Sequence, residues 1–332
     1  MRETNEHECM HFRKMEGQAV HCLLCPHCCL LEVGESGLCR GRKNIGGKLI
    51  AVNYARSIGM ALDPIEKKPL YHFRPGSKIV SLGSNSCNLS CFFCQNSESS
   101  QQGCPTIIIS PMELKELVLR KCGDGPLQVA FTYTEPLTWY EYVYDFARQA
   151  PEVDIVLVTN GFINPKPLDE LLPHIKAMNI DLKSIRPDFY EKHCEARLEP
   201  VLKSIERVMG EGVHLELTNL LIPGLNDSEA EIKELVDYVA SLDRRIPLHF
   251  SAYHPAFRSQ IPSTPESTVL QACRIASGKL DYVYAGNILS AEFHATLCPK
   301  CSSEVISARR EPLALKAGGC CSHCSQPIYG VF

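Results

Sequence analysis

The 332 residues are short of several things that would point to particular partners. No run approaches the ~18 consecutive apolar residues of a membrane span, so no membrane partner is expected. Met1 to Glu8 are polar and acidic with no apolar stretch, which argues against a secretory leader. Net charge is only −4, leaving no global reason to expect nucleic acid or an anionic membrane as partner. With 45% hydrophobic and 22% charged residues, the chain reads as an ordinary globular protein, and the cytoplasm is its expected location. One local bias stands out. From Arg40 to Lys78 there are nine Lys or Arg (40, 42, 43, 48, 56, 67, 68, 74, 78) against only Asp63 and Glu66. Such a run is either a solvated face or a guide for an anionic ligand.

What the chain has in excess is cysteine, 18 residues with several C-x2-C pairs. In a chain of this length those pairs read as metal sites, and thiols stay reduced in the cytosol. Cys87, Cys91 and Cys94 form C-x3-C-x2-C just after the apolar run 79–83. A zinc knuckle needs four N or S ligands, and no obvious fourth is near. Three thiolates can instead hold three irons of a [4Fe-4S] cluster and leave the fourth iron open.

The cysteines at the two ends make closed sets. Cys22, Cys25, Cys29 and Cys39 give C-x2-C-x3-C-x9-C, with Cys28 or His27 as possible substitutes. A region this small buries little core, so a metal is its natural staple. Zinc and an iron–sulfur cluster both accept four thiolates; zinc is favoured here, with a second cluster as the alternative. Cys298, Cys301, Cys321 and Cys324 give C-x2-C-x19-C-x2-C, the spacing of a zinc ribbon, with Cys320 able to replace Cys321. Cys9, Cys104, Cys122, Cys194 and Cys273 are isolated and read as small hydrophobes.

Residues 1–16 carry no readable structure and read as a loose or peripheral segment, and residues 63–73, with two prolines, read as a loop packed over the main domain. From Lys78 onward strand-like and helix-like stretches alternate. Strands are expected at 79–83, 128–132, 155–159, 179–183, 214–221 and 248–253, with a late one at 282–285. Helices are expected at 111–121, 138–149, 167–175, 198–209, 228–241 and 265–277; Ser110 with Glu113 and Ser228 with Glu231 resemble capped starts. Repeated strand–helix units predict an α/β fold with a parallel sheet, here a partial (β/α)6 TIM-like barrel. The expected division is 1–50 cysteine-rich metal-binding region, 51–290 barrel with its N-terminal packing segment, and 291–332 zinc ribbon. Ligands in such a fold gather at the C-terminal strand ends. There lie Thr132-Tyr133-Thr134-Glu135-Pro136, Thr159-Asn160-Gly161, Asp181-Leu182-Lys183, Pro223-Gly224, Tyr253-His254-Pro255 and Gly286-Asn287, beside the three-cysteine loop.

These motifs resemble, over nearly the whole length, the radical S-adenosylmethionine (SAM) enzyme of the AmmeMemoRadiSam system, a relative of pyruvate formate-lyase activating enzyme. The resemblance is carried by Cys22-x2-Cys25-Pro26-His27, the string from Asp63 to Phe73, Cys87-Asn88-Leu89-x-Cys91-x2-Cys94-Gln95-Asn96, Phe131 to Pro136, Val158 to Gly161, Asp181-Leu182-Lys183, Ile222 to Asp227 and the C-terminal ribbon. It implies that SAM occupies the open iron and that Cys87, Cys91 and Cys94 are the catalytic cluster ligands. It further implies that Tyr133, Thr134, Glu135, Asn160, Asp181, Lys183 and His254 surround the methionine and ribose, with Asn287 near the adenine. Tyr133 and Thr134 stand where the superfamily has two glycines, and Ala252 where family members often have arginine.

The implied reaction is reductive cleavage of SAM to methionine and a 5′-deoxyadenosyl radical that takes hydrogen from a small molecule or peptide. An electron donor such as flavodoxin or ferredoxin would be a partner. Activation of a glycyl-radical enzyme is the alternative, although the chain has no ferredoxin-like insert after the cluster loop. A metal-stabilised scaffold for RNA or protein is a third reading, with nucleic acid the less favoured partner.

Overall fold

The computed structural model describes residues 7–332, so part of the expected loose N-terminal segment lies outside the described residues. The rest of that segment is not loose. Phe12–Lys14 pairs antiparallel with Val20–Cys22, which pairs with Leu30–Leu31, and Cys9 N–H donates to Leu49 O at 2.8 Å.

The main sheet has eight strands: β1 (Met60–Pro64), β2 (Lys78–Leu82), β3 (Gln128–Phe131), β4 (Asp154–Thr159), β5 (Ile175–Asp181), β6 (His214–Leu221), β7 (Leu248–Ala252) and β8 (Val283–Gly286). They lie side by side in chain order. Strands β2 to β8 are parallel, and β1 runs antiparallel at the edge. Each strand beside its predecessor is the winding of a barrel, and β1 and β8 are not paired, so the barrel is open. Helices α1 (Pro111–Cys122), α2 (Tyr140–Gln149), α3 (Pro165–Leu171), α4 (Pro187–Cys194), α5 (Leu198–Gly210), α6 (Glu229–Asp243) and α7 (Glu266–Ser277) follow the strands. Helix α1 starts with the expected capping box of Ser110 and Glu113, and Ser228 caps α6 by accepting from Glu231 N–H. The helix expected at 167–175 stops at Leu171, because Pro173 cannot continue it and Ile175 already begins β5.

Alternation along the strands sorts two faces. Val129, Phe131, Ile155, Leu157, Met178 and Ile180 point to the helices and join the large core. The residues between them, Ala130, Val156 and Ala177, sit in register across β3 to β5 and pack against Ile65, Leu70 and Phe73. Residues 65–73 therefore fill the barrel instead of lying over it. The expected loop is only partly one: Asp63 and Pro64 end β1 and Ile65–Lys67 make a 3-10 turn, and only the rest is irregular. The small inward residues that admit it emerge only when the register is known.

This segment is held by one carboxylate. Glu216 on β6, fully buried, accepts from Tyr71 N–H at 3.0 Å, His72 N–H at 2.7 Å, His214 Nε2–H at 2.9 Å and His249 Nε2–H at 2.7 Å. Burial would raise its pKa, yet the two histidine hydrogen bonds hold it well below the usual carboxylate range. His72 Nδ1–H donates to Tyr329 O at 2.5 Å, so its Nε2 accepts from Tyr284 hydroxyl at 2.5 Å. Burial pushes His72 down to about 4, so it is neutral near pH 7. Val331 N–H donates to His72 O at 2.8 Å, and Arg74 N–H donates to Val331 O at 2.7 Å. Through these bonds the C-terminal residues close the end of the barrel where the strands begin.

Four of the nine basic residues of the run are held in ion pairs within the barrel and its flank. Arg42 pairs with Glu141, Lys67 and Lys68 with Asp63, and Arg74 with Asp154. Among the described residues, no helix is long and apolar enough to cross a membrane.

The histidine and carboxylate shifts set an acid limit. His72 takes up a proton more readily unfolded, so stability falls as pH drops from about 6.5 toward 4. The depressed Glu216 adds a further loss below about pH 4. Glu216→Gln, which leaves buried donors without a charged acceptor, is expected to lower unfolding free energy at pH 7 by about 3 kcal/mol. Urea titrations of both proteins at several pH values check this; equal midpoints at pH 7 would contradict it.

Candidate active site

One cavity of about 310 Å³ opens at the C-terminal ends of the strands. Cys87, Cys91 and Cys94 line it together with Thr132, Tyr133, Thr134, Glu135, Thr159, Asn160, Asp181 and Lys183. Of the expected site residues of the barrel, His254 and Asn287 are not brought to it. His254 is exposed, with Nδ1 3.1 Å from Ser263 Oγ, and Asn287 is exposed and donates to Ala252 O at 3.2 Å.

The cysteine loop is positioned from below and from the side. A Cβ on Gly83 would lie 2.2 Å from Thr132 O, so only glycine lets the end of β2 approach β3 this closely. Asn160 Nδ2 donates to Asn88 Oδ1 at 2.9 Å and lies 3.8 Å from Cys87 Sγ, and Asn88 Nδ2 donates to Phe162 O at 2.7 Å. Ser100 Oγ lies 3.2 Å from Cys94 Sγ. The neighbouring Cys194 thiol, together with burial, pushes the Cys91 pKa up. Burial likewise raises Cys87 and Cys94. Cys194 on α4 is fully buried in the main hydrophobic core, as expected of a small hydrophobe, and neighbours Cys91 there. Distance in sequence hides that neighbour.

The segment 132–135 is strained and braced. Tyr133 has φ +68°, a left-handed conformation that costs a non-glycine residue roughly 1–2 kcal/mol. Its hydroxyl donates to Asp63 Oδ2 at 2.8 Å, its carbonyl accepts from Asn96 Nδ2 at 2.5 Å, and Lys68 Nζ sits 4.7 Å over its ring. Lys68 Nζ also donates to Asp63 at 2.8 Å. Glu135 accepts from Leu137 N–H at 2.9 Å, Thr159 Oγ1 at 2.6 Å and Asn160 N–H at 2.8 Å. Burial raises it to about 7 against the pull of those bonds. Lys183 Nζ donates to Asp181 Oδ2 at 2.9 Å. Burial disfavours its charge, but Asp181, Cys91 and Cys194 outweigh that and raise its pKa, so it is an ammonium. Asp63, Lys68 and Asn96 were visible only as members of a motif string, with no role attached.

The donor set fits an iron–sulfur cluster with a small zwitterionic ligand. Three thiols face one cavity that also offers a carboxylate pair, an ammonium and backbone carbonyls. The ribbon at the other end of the chain is a separate centre. Cys298, Cys301, Cys321 and Cys324 have ligand atoms all within 4.8 Å of one another, with Sγ–Sγ distances of 3.5 Å (298 to 324) and 3.7 Å (301 to 321). Four thiolates about one tetrahedral ion at ~2.3 Å stand ~3.8 Å apart, so the geometry suits zinc. Cys320 lies outside this set, its Sγ 4.0 Å from Gly318 O.

The sequence model of the Radical SAM superfamily matches residues 82–239. An uncharacterized protein of Methanocaldococcus jannaschii is 40% identical over 307 residues, 90% of each chain. A GTP 3′,8-cyclase of Sulfurovum sp. is 25% identical over 175 residues, spanning 50% of this chain and 52% of that one. Among solved structures, a radical SAM methyltransferase from Sphaerobacter thermophilus aligns with a TM-score of 0.50 at 17% identity, covering 65% of this chain and 68% of that chain. The likeness to the last is one of fold. The chain belongs to the radical SAM superfamily, in one family with its archaeal relative. Membership implies a [4Fe-4S] cluster, SAM, an electron donor and a substrate.

For the ribbon, the expected result is one zinc per chain, retained in Cys320→Ser and lost in Cys321→Ser. Metal analysis of the purified variants checks this; zinc lost from Cys320→Ser instead would reassign the ligand.

Proposed function

We propose that this chain is a radical SAM enzyme in which Cys87, Cys91 and Cys94 bind three irons of a [4Fe-4S] cluster. Bound there, cluster and SAM supply one-electron cleavage of SAM to methionine and a 5′-deoxyadenosyl radical that abstracts hydrogen from substrate. The observation that carries the reading is the convergence of three thiols with the charged strand-end groups on one cavity.

The residues divide the remaining work. Glu135, with the carbonyls of Tyr133 and Thr134, would accept from the amino group of methionine. Lys183, kept cationic by Asp181, would take the carboxylate, and Asp181 the ribose hydroxyls. Asn160 would hold the cluster loop, since its amide is spent on Asn88 and Cys87. His254 and Asn287, outside the cavity, would act at the outer rim, near the adenine or substrate. No side chain must act as a general base.

Within the superfamily, the likeness of residues 63–73 to the AmmeMemoRadiSam enzymes supports placing the chain with them, as a relative of pyruvate formate-lyase activating enzyme. A small molecule or peptide is the proposed substrate, flavodoxin or ferredoxin the donor, and the cytoplasm the location. The scaffold alternative is weakened because Arg42 and Lys68 of the basic run are buried in ion pairs, Arg74 is paired with Asp154, and the strand-end groups gathered on one cavity are left unexplained by it. We retain the division into 1–50, 51–290 and 291–332.

Reconstituted enzyme incubated anaerobically with SAM and dithionite is expected to form 5′-deoxyadenosine, measured by chromatography. Cys91→Ala should form at least 100-fold less (roughly 3 kcal/mol of barrier). Absence of product from wild type, or equal product from Cys91→Ala, would overturn the proposal.

A further inference from the structure

The cysteines of the N-terminal region converge as well. Gly37 places its vacant Cβ position 3.8 Å from Cys39 Sγ and 3.9 Å from Cys29 Sγ. Cys22 N–H donates to Cys29 O at 2.9 Å, which brings those residues opposite each other across two strands. Cys22, Cys25, Cys29 and Cys39 all lie within electrostatic reach of one another. Cys28 turns away: it is exposed, its Sγ 3.6 Å from Cys25 O and 3.8 Å from Asn164 Nδ2.

The spacing of these thiols differs from that of the ribbon. In the ribbon all four sulfurs fit around a single ion. Among the described residues, no three of Cys22, Cys25, Cys29 and Cys39 come within 4.8 Å of one another, and the same holds for Cys87, Cys91 and Cys94. A single zinc needs sulfurs ~3.8 Å apart. A cluster carries each thiolate on a different iron and so holds them farther apart.

A second observation points to an anionic occupant. Arg42 is 1% exposed and gives only Nη2 to Glu141, at 2.7 Å to each oxygen. Its Nε and Nη1 are buried with no hydrogen-bond partner, and the guanidinium lies within electrostatic reach of Cys9, Cys22 and Cys39. A buried guanidinium edge left without acceptors costs several kcal/mol. A cluster with four thiolates carries net negative charge and sulfur acceptors that this edge would meet.

We propose that Cys22, Cys25, Cys29 and Cys39 hold a second iron–sulfur cluster of the [4Fe-4S] type, in place of the zinc that their sequence spacing favours. This region abuts the catalytic loop. His27 Nε2 lies 2.7 Å from Asn88 O, one residue beyond Cys87, and Arg40 donates to Ser100 O, next to the hydroxyl that faces Cys94. The assignment stands apart from the catalytic reading, since it uses a different set of ligands.

The test uses the full chain, reconstituted anaerobically with iron and sulfide, as wild type and as the Cys87→Ala/Cys91→Ala/Cys94→Ala triple variant. The triple variant leaves every N-terminal ligand intact. It is expected to stay brown, with about four irons and four sulfides, one zinc, and an electron-spin resonance signal after dithionite reduction. Wild type should carry about eight irons. Four irons in both proteins would uphold this cluster while removing the catalytic one. A colourless triple variant with two zincs would overturn the proposal.

Discussion

A sheet of seven parallel strands that winds most of the way round but does not close must have its interior filled. Here the filling is residues 65–73, and their fixed point is the buried carboxylate of Glu216. It takes two backbone N–H groups from the segment and two imidazole N–H groups from neighbouring positions of the barrel wall. Every donor finds an acceptor, and the charge is spread over four bonds. The same segment then reaches the opposite rim, where Asp63 and Lys68 brace Tyr133. One stretch of chain thus ties the lower closure to the ligand-facing loops. Without it, the small residues Ala130, Val156 and Ala177 would line a void.

Much of the architecture was legible in sequence because it rests on local periodicity. The alternation of strands and helices, the late strand before residue 286 and the capped starts of α1 and α6 all appear as expected. Six of the eight proposed SAM-side residues of the barrel, together with all three cluster cysteines, line one cavity because strand ends in this winding share a rim. What was hidden is long-range. Cys194 meets Cys91 across a gap of about a hundred residues, and no spacing rule links them. The interior course of residues 65–73 depends on register, and register is a property of pairs of strands. His254 and Asn287 follow strands β7 and β8, but their side chains face outward, a distinction that one residue of twist decides.

The rim shows how a sequence departure is absorbed. At a position where the superfamily motif this stretch resembles has glycine, Tyr133 takes the left-handed conformation and is held there by a hydroxyl–carboxylate bond, a carbonyl–amide bond and a cation over its ring. The backbone path, and with it the direction of the carbonyls, is kept by side-chain contacts instead of by the permissive residue. Such bracing makes the rim stiffer than a pair of glycines would. It also ties Tyr133 to Asp63 and Lys68, so these three positions cannot vary independently.

The union of His72 with Tyr329, residues 257 positions apart, has a meaning for synthesis. A ribosome delivers residues in order, at roughly 5–20 per second. Helices and adjacent parallel strands can assemble as they emerge, yet the segment that fills the barrel awaits partners made 257 residues later. During that interval His72 and Tyr284 expose polar and aromatic surface that the finished protein conceals. A product that stops short of residues 329–331 would keep most of the barrel strands but leave His72 without its partners and the floor of the barrel open.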